Sequence, residues 1–431
     1  MRFYLETEKI GLKKLEQLEV TQEYVDWLND EVVTQTLVAG KLPTGLEDLS
    51  TYVTGANKPG TVTFAIYRKD TAKHIGNVKL DHIDWISRKA DFGILLGDKD
   101  SWGKGFGFDA TKTVIDYAFQ TLNLNRVYLG VLEGNPNAKR IYQKVGFLTE
   151  GERIQDQYCG GRYENCAMMG ITRSRWLSVN KRVVIIIQAR MSSSRLEGKV
   201  LLPLEGKPML VHIAERARRS KKAVLTIVAT SVDPSDDPIQ ETCKTYGIPC
   251  FRGSLNDVLE RYGNAAEAFE ADIIVRVTGD CPLIDPEVID NVIETYLENI
   301  EYVDYASNMD FPTFPDGLDT EVFSIRALRR SLKESKLPSE REHVTLYIRK
   351  NMRKINLPLE GKSYAHFRWS VDEEEDYRLI QTIYKALYRE HQSFGYRDVI
   401  AFLETHPEYL KLNAHIPINE GLMKSLQNEN Q

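Results

Sequence analysis

The sequence predicts an α/β protein of two domains, and three observations lead to this prediction. The chain has 431 residues, more than a single hydrophobic core usually supports. In its first part, strand-like segments lead into a glycine-rich turn and a helix, and in its second part apolar strands alternate with helical patterns. We therefore expect a mixed sheet with flanking helices in the first domain and a three-layer α/β/α sheet in the second.

The composition is that of an ordinary soluble globular protein. Hydrophobic residues make up 42% of the chain and charged residues 27%, and the formal net charge is -6. This charge argues against a general nucleic-acid binder. No apolar stretch has the length needed to cross a bilayer, and the amino terminus lacks the apolar core of a secretion signal. We expect a cytoplasmic protein without a membrane span, whose 5 cysteines are reduced and packed.

The first domain is predicted to occupy residues 1–174. Its strand candidates, at 61–67, 74–83 and 90–96, are rich in β-branched and aromatic residues and are separated by polar turns, as in a meander. A helix is predicted over 108–121 and a further strand over 126–132. We place a polar linker at 175–180, the second domain at 181–415 and a polar, frayed tail at 416–431.

The turn before that first helix has the sequence WGKGFG, residues 102–107. Glycines that enter a helix can expose successive backbone N–H groups to a pyrophosphate at the positive end of the helix dipole. Glycine spacing by itself is more typical of a purely structural turn. The preceding strand and the following helix favour the phosphate interpretation.

Together with the segment NAKRIYQKVGF at 137–147, these residues resemble the GNAT acetyltransferases, in the branch that includes ribosomal-protein and amino-sugar N-acetyltransferases. The resemblance covers most of residues 1–172. It implies that the pyrophosphate of acetyl-coenzyme A is bound by Trp102, Gly103, Lys104, Gly105, Phe106 and Gly107. Asn135, with the strand before it, would bind the pantetheine arm.

The same resemblance implies a general acid for acetyl transfer. Tyr142 stands where family members use a tyrosine to protonate the departing thiolate, and a phenol near its normal pKa suits that task. The alternative is an aromatic side chain that packs its helix on the sheet. No general base is singled out, although Asp91 and Glu133 fall in the right region.

The second domain begins with the apolar run 183–187, which leads directly into QARMSSSRLEGK at 188–199. A continuous apolar run of this length is typical of a buried parallel strand. Open α/β sheets bind ligands beyond the carboxyl ends of their strands. Arg190 and Arg195 can grip phosphate oxygens in forked pairs, and Lys199 adds a mobile charge. The pattern indicates a triphosphate site, with a solvated basic loop as the alternative.

Two aspartates complete the predicted site. The strand at 273–277 ends just before Asp280, and Asp372 is expected at another strand end, ahead of a helix. Carboxylates at one sheet edge could hold Mg²⁺ against the triphosphate. The alternative roles are a turn-forming or capping aspartate at either position. A further strand is predicted at 224–229. Helices are predicted at 208–219, 236–246, 256–269 and 286–297.

Residues 182–415 resemble the cytidylyltransferases that activate acidic sugars. These are the CMP-octulosonate and CMP-nonulosonate synthetases and, most closely, the spore-coat polysaccharide protein F family. The matching segments are QARMSSSRLEGKVLLPLEGKPML at 188–210, ATS at 229–231, FRGS at 251–254, RVTGDCPLID at 276–285, DYASN at 304–308, PDGLDTEV at 315–322 and REHVT at 341–345. The resemblance implies a Rossmann-like sheet of the nucleotide-diphospho-sugar transferase type.

The resemblance also assigns roles. Arg190, Arg195 and Lys199 would bind the CTP phosphates, with Arg190 and Lys199 catalytic, and Asp280 and Asp372 would bind the metal. The nucleotide would further contact Gln188, Ala189, Thr230, Gly253 and Thr278, and the sugar would contact Asp319, Glu321, Arg341 and His343. A structural histidine is an equal interpretation of His343. Glu197 replaces a proline of the family and is expected to face solvent or to pair with a cation.

These inferences lead to one functional hypothesis. We expect a bifunctional enzyme of bacterial surface acidic-sugar biosynthesis, of the pseudaminic or legionaminic nonulosonate type. One half would N-acetylate an amino sugar from acetyl-coenzyme A, and the other would transfer CMP from CTP to an acidic sugar with Mg²⁺. The alternatives are a protein N-acetyltransferase half, a glycosyltransferase, and a non-catalytic sugar- or nucleotide-binding scaffold. The sequence leaves the oligomeric state open, with a homodimer among the options.

Overall fold

A computed structural model of the chain describes residues 2–37, 40–159, 161–179, 181–193, 195–388 and 393–417. The chain divides into two compact units, Met1–Val179 and Asn180–Gln431. Most of the predicted polar tail, residues 418–431, lies outside the described residues. Within the described parts of the chain, no helix is both long and apolar enough to cross a membrane.

In the part of the first unit that the structure describes, there are an eight-stranded sheet and six α-helices. The strands are β1 (Leu5–Glu6), β2 (Ile10–Lys14), β3 (Val62–Arg68), β4 (His74–Asp84), β5 (Lys89–Leu96), β6 (Arg126–Leu132), β7 (Leu148–Cys159) and β8 (Arg162–Thr172). The helices are α1 (Gln22–Asn29), α2 (Glu31–Thr34), α3 (Leu46–Gly55), α4 (Phe106–Gln120), α5 (Pro136–Val145) and α6 (Arg173–Val179). The sheet order is β1-β2-β3-β4-β5-β6-β8-β7.

The predicted meander is confirmed by β3, β4 and β5, which pair antiparallel in sequence order. Alternate residues of these strands, among them Val78, Leu80, Ala90 and Phe92, are buried in one cluster with α4. The sequence analysis did not predict β7 and β8, which form a hairpin at the sheet edge. Most of β7 is exposed on both faces, so it lacks the apolar alternation that marks a strand.

Helix α4 starts two residues earlier than predicted. Gly105 is its amino-terminal cap and has a φ of 89°, a left-handed conformation that glycine adopts without a steric penalty. Val114, Ile115 and Ala118 are 0% exposed and belong to the hydrophobic core of the first unit, so one face of α4 is buried. Residues 173–179, which overlap the expected linker, form helix α6.

The second unit contains a seven-stranded sheet, a two-stranded ribbon and nine helices among its described residues. The strands are β9 (Val183–Gln188), β10 (Pro203–Leu204), β11 (Lys207–Pro208), β12 (Leu225–Ser231), β13 (Cys250–Gly253), β14 (Ile273–Thr278), β15 (Tyr305–Ser307), β16 (Glu321–Ser324) and β17 (Lys354–Asn356). The helices are α7 (Met209–Ala217), α8 (Asp237–Thr245), α9 (Val258–Ala268), α10 (Pro286–Glu298), α11 (Ile325–Glu334), α12 (Pro338–Glu342), α13 (Leu346–Asn351), α14 (Glu374–Leu387) and α15 (Tyr396–Thr405).

The large sheet has the order β13-β12-β9-β14-β16-β15-β17, and its first four strands are parallel. Every residue from Val183 to Ile187 is buried, and successive residues enter two different hydrophobic clusters, one on each face. Helices therefore cover both faces, which confirms the predicted three-layer arrangement. The carboxyl ends of β13, β12, β9 and β14 meet at one edge.

The predicted strand ahead of Asp372 is wrong. Residues 367–371 form no strand, and Arg368 makes only an isolated bridge with Asp316. Backbone hydrogen bonds from Asp316 N to Phe367 O (2.9 Å) and from Trp369 N to Asp316 O (2.8 Å) hold the segment instead. The cap of α14 is Glu373 rather than Asp372.

Candidate functional site

The loop that follows β9 is anchored to the end of β12 by one buried carboxylate. Asp236 is 0% exposed and accepts the backbone N–H of Met191 at 2.7 Å. It also accepts the hydroxyl groups of Thr230 (3.0 Å) and Ser231 (2.5 Å). Asp236 therefore fixes where the basic loop begins. The sequence analysis missed this residue, because an acid in a polar turn carries no distinguishing pattern.

Lys199 joins the two predicted metal-binding aspartates. Its side chain is 10% exposed, and its Nζ donates to Asp372 Oδ1 at 2.8 Å, to Val371 O at 2.7 Å and to Asp280 Oδ2 at 3.3 Å. Arg195 Nη2 lies 2.8 Å from the same Asp372 Oδ1. Four residues from three distant segments of the sequence thus meet at the carboxyl edge of the sheet.

Their charges stabilise one another. Burial lowers the pKa of Lys199, but Asp280 and Asp372 raise it by more, and the result lies above the ordinary value. Burial raises the pKa of Asp280, whereas Lys199 and the Thr278 hydroxyl lower it to about 2. Lysine and aspartate are therefore both charged at neutral pH.

Asp372 is held from its other side by a residue that the sequence analysis missed. Arg368 Nη2 lies 2.9 Å from Asp372 Oδ2, and its Nε lies 3.0 Å from Asp376 Oδ1. The side chains of Arg368 and Asp376 are 4% and 0% exposed. No local pattern in the sequence indicated this role, because residues 368–372 belong to neither a helix nor a strand.

The aspartate pair fits a magnesium ion that is bound together with a nucleotide. Mg²⁺ commonly takes one or two protein carboxylates and fills its remaining positions with phosphate oxygens and water. Asp280 and Asp372 both reach the one Nζ atom of Lys199, so two carboxylates converge on a small volume. Among the described residues, no group of three or more His, Cys, Asp or Glu side chains could hold a metal by itself.

Arg190, near the start of the same loop, lies beside Glu342 and His343 and not among the residues around Lys199. Its Nη2 is 4.0 Å from Glu342 Oε1, and Glu342 Oε2 is 4.0 Å from His343 Nε2. That nitrogen is buried and has no hydrogen-bond partner in the described structure, and burial lowers the pKa of His343. Val344 has a φ of 56°, an unusual conformation for a β-branched residue.

Glu321, Arg341 and Asp319, the other residues predicted to bind the sugar, each have different partners. Glu321 is 1% exposed, pairs with Arg276 and accepts the hydroxyl groups of Tyr305 (2.8 Å) and Thr345 (2.5 Å). Arg341 pairs with Asp257, the cap of α9. Burial raises the pKa of Asp319 well above its ordinary value, and the nearby carboxylates Asp316, Glu321 and Asp280 add to the effect. Sugar binding by these residues stays a prediction.

Asp319 is held in position by an asparagine that the sequence analysis did not single out. Asn308 is 2% exposed, donates to Leu318 O at 2.9 Å and accepts the backbone N–H of Thr320 at 2.9 Å. Gly317 next to this turn has a φ of 97°, and a Cβ there would lie 2.8 Å from Ser370 N. The Asp319 turn is therefore fixed against the segment that carries Asp372.

The residues predicted to contact the nucleotide lie along the ends of four adjacent strands. Gln188, Thr230, Gly253 and Thr278 are the last or second-to-last residues of β9, β12, β13 and β14, and Ala189 follows β9. Gln188 Oε1 accepts from Arg276 Nη2 at 3.4 Å, and Thr278 Oγ1 lies 3.2 Å from Cys281 Sγ. Glu197 in the loop is exposed, as expected.

In the first unit, the glycine turn lies between β5 and α4. Gly103 and Gly105 have φ values of 73° and 89°, and a Cβ at Gly103 would meet nothing within 4 Å. Trp102 Nε1 donates to Leu96 O at 2.9 Å, which ties the turn to the strand. The first amides of α4, which begins at Phe106, have no partner within the helix. Lys104 is exposed beside this turn, and Gly107 packs against Leu96 and Ile141.

Strands β5 and β6 separate beyond their first residues. They pair in parallel only at Lys89, Ala90 and Asp91, opposite Arg126, Val127 and Tyr128. Their remaining backbone groups on the facing sides are available to an extended ligand. Asn135 follows β6, caps α5 by accepting the Ala138 N–H at 3.1 Å and donates to Thr36 Oγ1 at 2.9 Å.

Tyr142 is 8% exposed and packs against Phe92 and Phe147, with ring centroids 6.0 and 5.8 Å away. Burial raises the pKa of Tyr142 to about 12, which differs from the near-normal value expected from the sequence. The phenol is thus fully protonated at neutral pH. Burial also raises the pKa of Asp91, at the point where β5 and β6 separate.

Comparison with known proteins covers both units. A model described as cytidylyltransferase matches residues 184–412, and one described as acetyltransferase (GNAT) domain matches residues 10–148. The spore coat polysaccharide biosynthesis protein SpsF of Bacillus subtilis is 32% identical over 236 residues, which are 52% of this chain and 95% of that protein.

Further similar proteins include an acetyltransferase and a cytidylyltransferase of known structure. The spermidine N(1)-acetyltransferase of Vibrio cholerae is 36% identical over 104 residues, which are 24% of this chain and 60% of that protein. A cytidylyltransferase structure from Leptospira borgpetersenii is 34% identical and superposes with a TM-score of 0.52, covering 54% of this chain and 97% of that chain.

Proposed function

This chain belongs to the cytidylyltransferase family and also carries a GNAT acetyltransferase domain, and from this premise we propose that it serves acidic-sugar biosynthesis. It is a bifunctional transferase. In our proposal the second unit transfers CMP from CTP to an acidic sugar of the nonulosonate type, and the first unit N-acetylates an amino sugar. We place the domains at 1–174 and 181–415 and the enzyme in the cytoplasm of a bacterium.

One observation carries the cytidylyl-transfer proposal: Arg195, Lys199, Asp280 and Asp372 meet at the carboxyl edge of the sheet. In the reaction, the anomeric hydroxyl oxygen of the sugar bonds to the α-phosphorus of CTP and gives up its proton to solvent, and the bond from that phosphorus to the pyrophosphate oxygen breaks. Arg190, Arg195 and Lys199 bind the pyrophosphate as its negative charge grows. Asp280 and Asp372 would hold Mg²⁺, which supplies further charge neutralisation when bound.

Lys199 must change partners during this cycle. In the nucleotide-free chain its ammonium group is bound to two carboxylates and one carbonyl oxygen. A triphosphate offers more negative charge than either aspartate, so Lys199 can move to the phosphates and release the carboxylate oxygens. Arg368 keeps Asp372 in place throughout, because it pairs with the other carboxylate oxygen.

The acidic sugar is supported by resemblance rather than by a contact. The relative from Bacillus subtilis is a protein of spore coat polysaccharide biosynthesis, which indicates a surface sugar. The motifs shared with octulosonate and nonulosonate synthetases favour an acidic one. Asp319, Glu321, Arg341 and His343 are the candidates to select it, either directly or by positioning their neighbours.

For the first unit, the glycine turn and the gap between β5 and β6 support binding of acetyl-coenzyme A. The amine nitrogen attacks the thioester carbonyl, the C–S bond breaks, and the phenol of Tyr142 gives its proton to the departing thiolate. The amine releases one proton to solvent, and the phenol takes one back. A second acceptor class is a polyamine, because the Vibrio cholerae relative is a spermidine acetyltransferase. A third class of acetyl acceptor is the amino terminus of a peptide.

The cytidylyl-transfer proposal is tested by pyrophosphate release from CTP and Mg²⁺ with a panel of nonulosonic acids. We expect release with at least one acid, and loss of that release in Asp280→Asn. The exposed residue Glu197 provides a control, since Glu197→Gln should retain activity. Equal release by Asp280→Asn would remove the metal assignment, and no release with any acid would contradict the sugar class.

The acetyl-transfer proposal is tested by coenzyme A release with an amino-sugar nucleotide, spermidine or a peptide as acceptor. We expect turnover with the amino sugar and a large loss of kcat in Tyr142→Phe, with little change in KM. Preferential turnover of spermidine would instead assign the domain to polyamines. Unchanged kcat in Tyr142→Phe would show that the tyrosine only packs its helix.

A further inference from the structure

Asn413, in the last described stretch of the chain, contacts both ends of the segment that carries Asp372. Its side chain is buried, with 3% of the residue exposed. Its Nδ2 donates to the backbone oxygen of Arg368 at 2.9 Å and to Asp376 Oδ1 at 2.8 Å. Arg368 lies four residues before Asp372 and Asp376 four residues after it. One amide group therefore joins the two ends of the segment 368–376.

This segment depends on side chains for its position, because it lies outside the regular elements up to Asp372. Residues 368–372 form neither a helix nor a strand. An isolated bridge at Arg368 and a hydrogen bond from Val371 N to Asp280 O (2.8 Å) attach its backbone to the sheet edge. The direction of the Asp372 carboxylate is then set by the groups that its oxygens contact.

Asp376 connects Asn413 to Asp372. The Asp376 carboxylate accepts Arg368 Nε at 3.0 Å and Nη2 at 3.1 Å, and it accepts the backbone N–H of Asp372 at 3.0 Å. Arg368 Nη1 donates to Pro417 O at 3.0 Å, and Nη2 donates to Asp372 Oδ2 at 2.9 Å. Asp376 and the Pro417 carbonyl therefore hold the plane of the guanidinium group that contacts Asp372.

This support matters most when a nucleotide is bound. In the nucleotide-free chain, Arg195 and Lys199 each lie 2.8 Å from Asp372 Oδ1. When these two cations move to the phosphates, the described contact that remains on the carboxylate is the one from Arg368. Mg²⁺ demands near-octahedral geometry, so its affinity depends on the direction in which a carboxylate is held.

We propose that Asn413 is a positioning residue for Mg²⁺ binding. It fixes Arg368 and Asp376, so that Asp372 keeps its metal-binding direction while CTP is bound. Asn413 acts through these neighbours and not by contact with the ion. The inference rests on the proposed nucleotide site and extends it past residue 412, where the match to the cytidylyltransferase model ends.

The test measures CTP binding to the full chain by titration calorimetry, without sugar, once with EDTA and once with saturating Mg²⁺. The ratio of the two dissociation constants gives the strengthening of CTP binding by Mg²⁺. We expect this ratio to be about 10-fold smaller in Asn413→Ala than in the unmodified protein, because residues that orient a metal ligand commonly contribute that much to metal affinity. CTP binding in EDTA should change less than about 3-fold.

Asn299→Ala is the matched control. The Asn299 side chain also donates through Nδ2 to a backbone oxygen, that of Thr295 at 2.9 Å. It lies at the carboxyl end of α10, about 20 Å along the helix from its first residue. Asn299→Ala removes a similar hydrogen bond, and we expect it to leave the Mg²⁺ ratio unchanged.

A second measurement uses the nucleotide-free protein. The N–H groups of Asp372 and Glu373 bind Asp376 Oδ2, each at 3.0 Å. Their hydrogen exchange should be faster in Asn413→Ala than in the unmodified protein or in Asn299→Ala. If Asn413→Ala does not fold, Asn413→Ser replaces it in both measurements. Its hydroxyl keeps one donor, so its Mg²⁺ ratio should fall by about 3-fold.

The outcomes separate the two proposals. An unchanged Mg²⁺ ratio, an equal loss of CTP binding with and without Mg²⁺, or unchanged exchange at 372 and 373 would each overturn positioning by Asn413. The nucleotide site would stand in those cases. An unmodified protein that does not bind CTP, or that binds it no more tightly with Mg²⁺ than with EDTA, would overturn the proposed metal pair and this inference together.

Discussion

At the scale of single residues, the candidate phosphate site depends on charges that are already paired in the nucleotide-free chain. Asp372 lies between Arg195 and Lys199 on one side and Arg368 on the other. Asp280 and Asp376 pair with Lys199 and Arg368, so the three cations are already balanced by three carboxylates. A polyanionic ligand must therefore take Arg195 and Lys199 from their carboxylate partners, and a divalent cation bound with the ligand would occupy the carboxylates that are released.

Arg368 should matter for stability as well as for Asp372. Arg368→Met leaves Asp376, with 0% of its side chain exposed, without its cation, and we expect a loss of about 3 kcal/mol in the free energy of unfolding. Arg378→Met is the matched control, because Arg378 forms only an exposed pair with Glu374, worth about 0.3–0.5 kcal/mol. Urea titration of both variants makes the comparison, and equal losses would contradict it.

We expect Asp81, in the first unit, to make the free energy of unfolding depend on pH. Burial raises its pKa, but Lys79 and the Thr61 hydroxyl lower it from 3.8 to about 2. A depressed folded-state pKa stabilises the fold above the unfolded value, and that contribution is lost as the pH falls toward 2. Asp81→Asn should therefore cost about 2 kcal/mol at neutral pH and progressively less below pH 4.

Urea titrations between pH 7 and about pH 2.5 measure this difference. Asp100→Asn, at an exposed position, is the control and should stay close to the unmodified protein throughout. A gap between Asp81→Asn and the unmodified protein that persists unchanged at low pH would contradict the assignment.

The sequence predicted which charged residues meet at the phosphate site, but not the buried residues that hold them in place. Lys199, Asp280 and Asp372 were expected together, because each follows or faces the end of a strand in one sheet. Arg368 and Asp236 were not, since a single charged residue gives no sign in the sequence of which distant partner it meets. Buried pairs of this kind are determined by tertiary packing, which local patterns do not encode.

At the scale of elements, the strands and helices with a clear apolar period were predicted closely. Strand β9 and helix α4 were found within one or two residues of their expected positions. The exposed hairpin of β7 and β8 was missed, and a strand before Asp372 was wrongly expected. In the second case, residues 367–371 are held by backbone hydrogen bonds with Asp316 and by packed side chains rather than by a neighbouring strand.

The turn between β5 and α4 offers an element-scale test. Gly103→Ala adds a methyl group to open space at a φ of 73°, so it should cost about 1 kcal/mol of stability and obstruct the approach of a pyrophosphate. We expect acetyl-coenzyme A affinity to fall at least about 10-fold, with CTP binding unchanged.

Gly161→Ala is a closely matched control for this variant. Gly161 has a φ of 83° and also has nothing within 4 Å of an added Cβ, but it lies between β7 and β8. Isothermal titration should find normal acetyl-coenzyme A binding in Gly161→Ala. If both variants lose affinity equally, backbone strain rather than a ligand contact explains the effect.

At the scale of the whole molecule, each unit has its own hydrophobic clusters. Ile10, Leu12 and Val114 belong to the first unit's main cluster, and Ile185, Val275 and Trp369 to one of the second unit's. The chain divides between residues 179 and 180, and the domain bounds 1–174 and 181–415 stay a prediction.

Separate cores imply separate responses to ligands. A ligand at 100 times its dissociation constant stabilises the unit that binds it by about 2.7 kcal/mol. We expect CTP with Mg²⁺ to raise one thermal transition and acetyl-coenzyme A the other. Gly103→Ala should reduce only the second shift and Asp280→Asn only the first, as measured by calorimetry. A single transition raised equally by both ligands would contradict this independence.

The lysine between Asp280 and Asp372 has a consequence for how the protein is made. Two acidic groups so close together would repel each other in a newly folded chain, yet the polypeptide supplies its own counter-ion from the adjoining loop. Maturation of this half therefore does not have to wait for a divalent ion, and chelators present during purification should leave its structure intact.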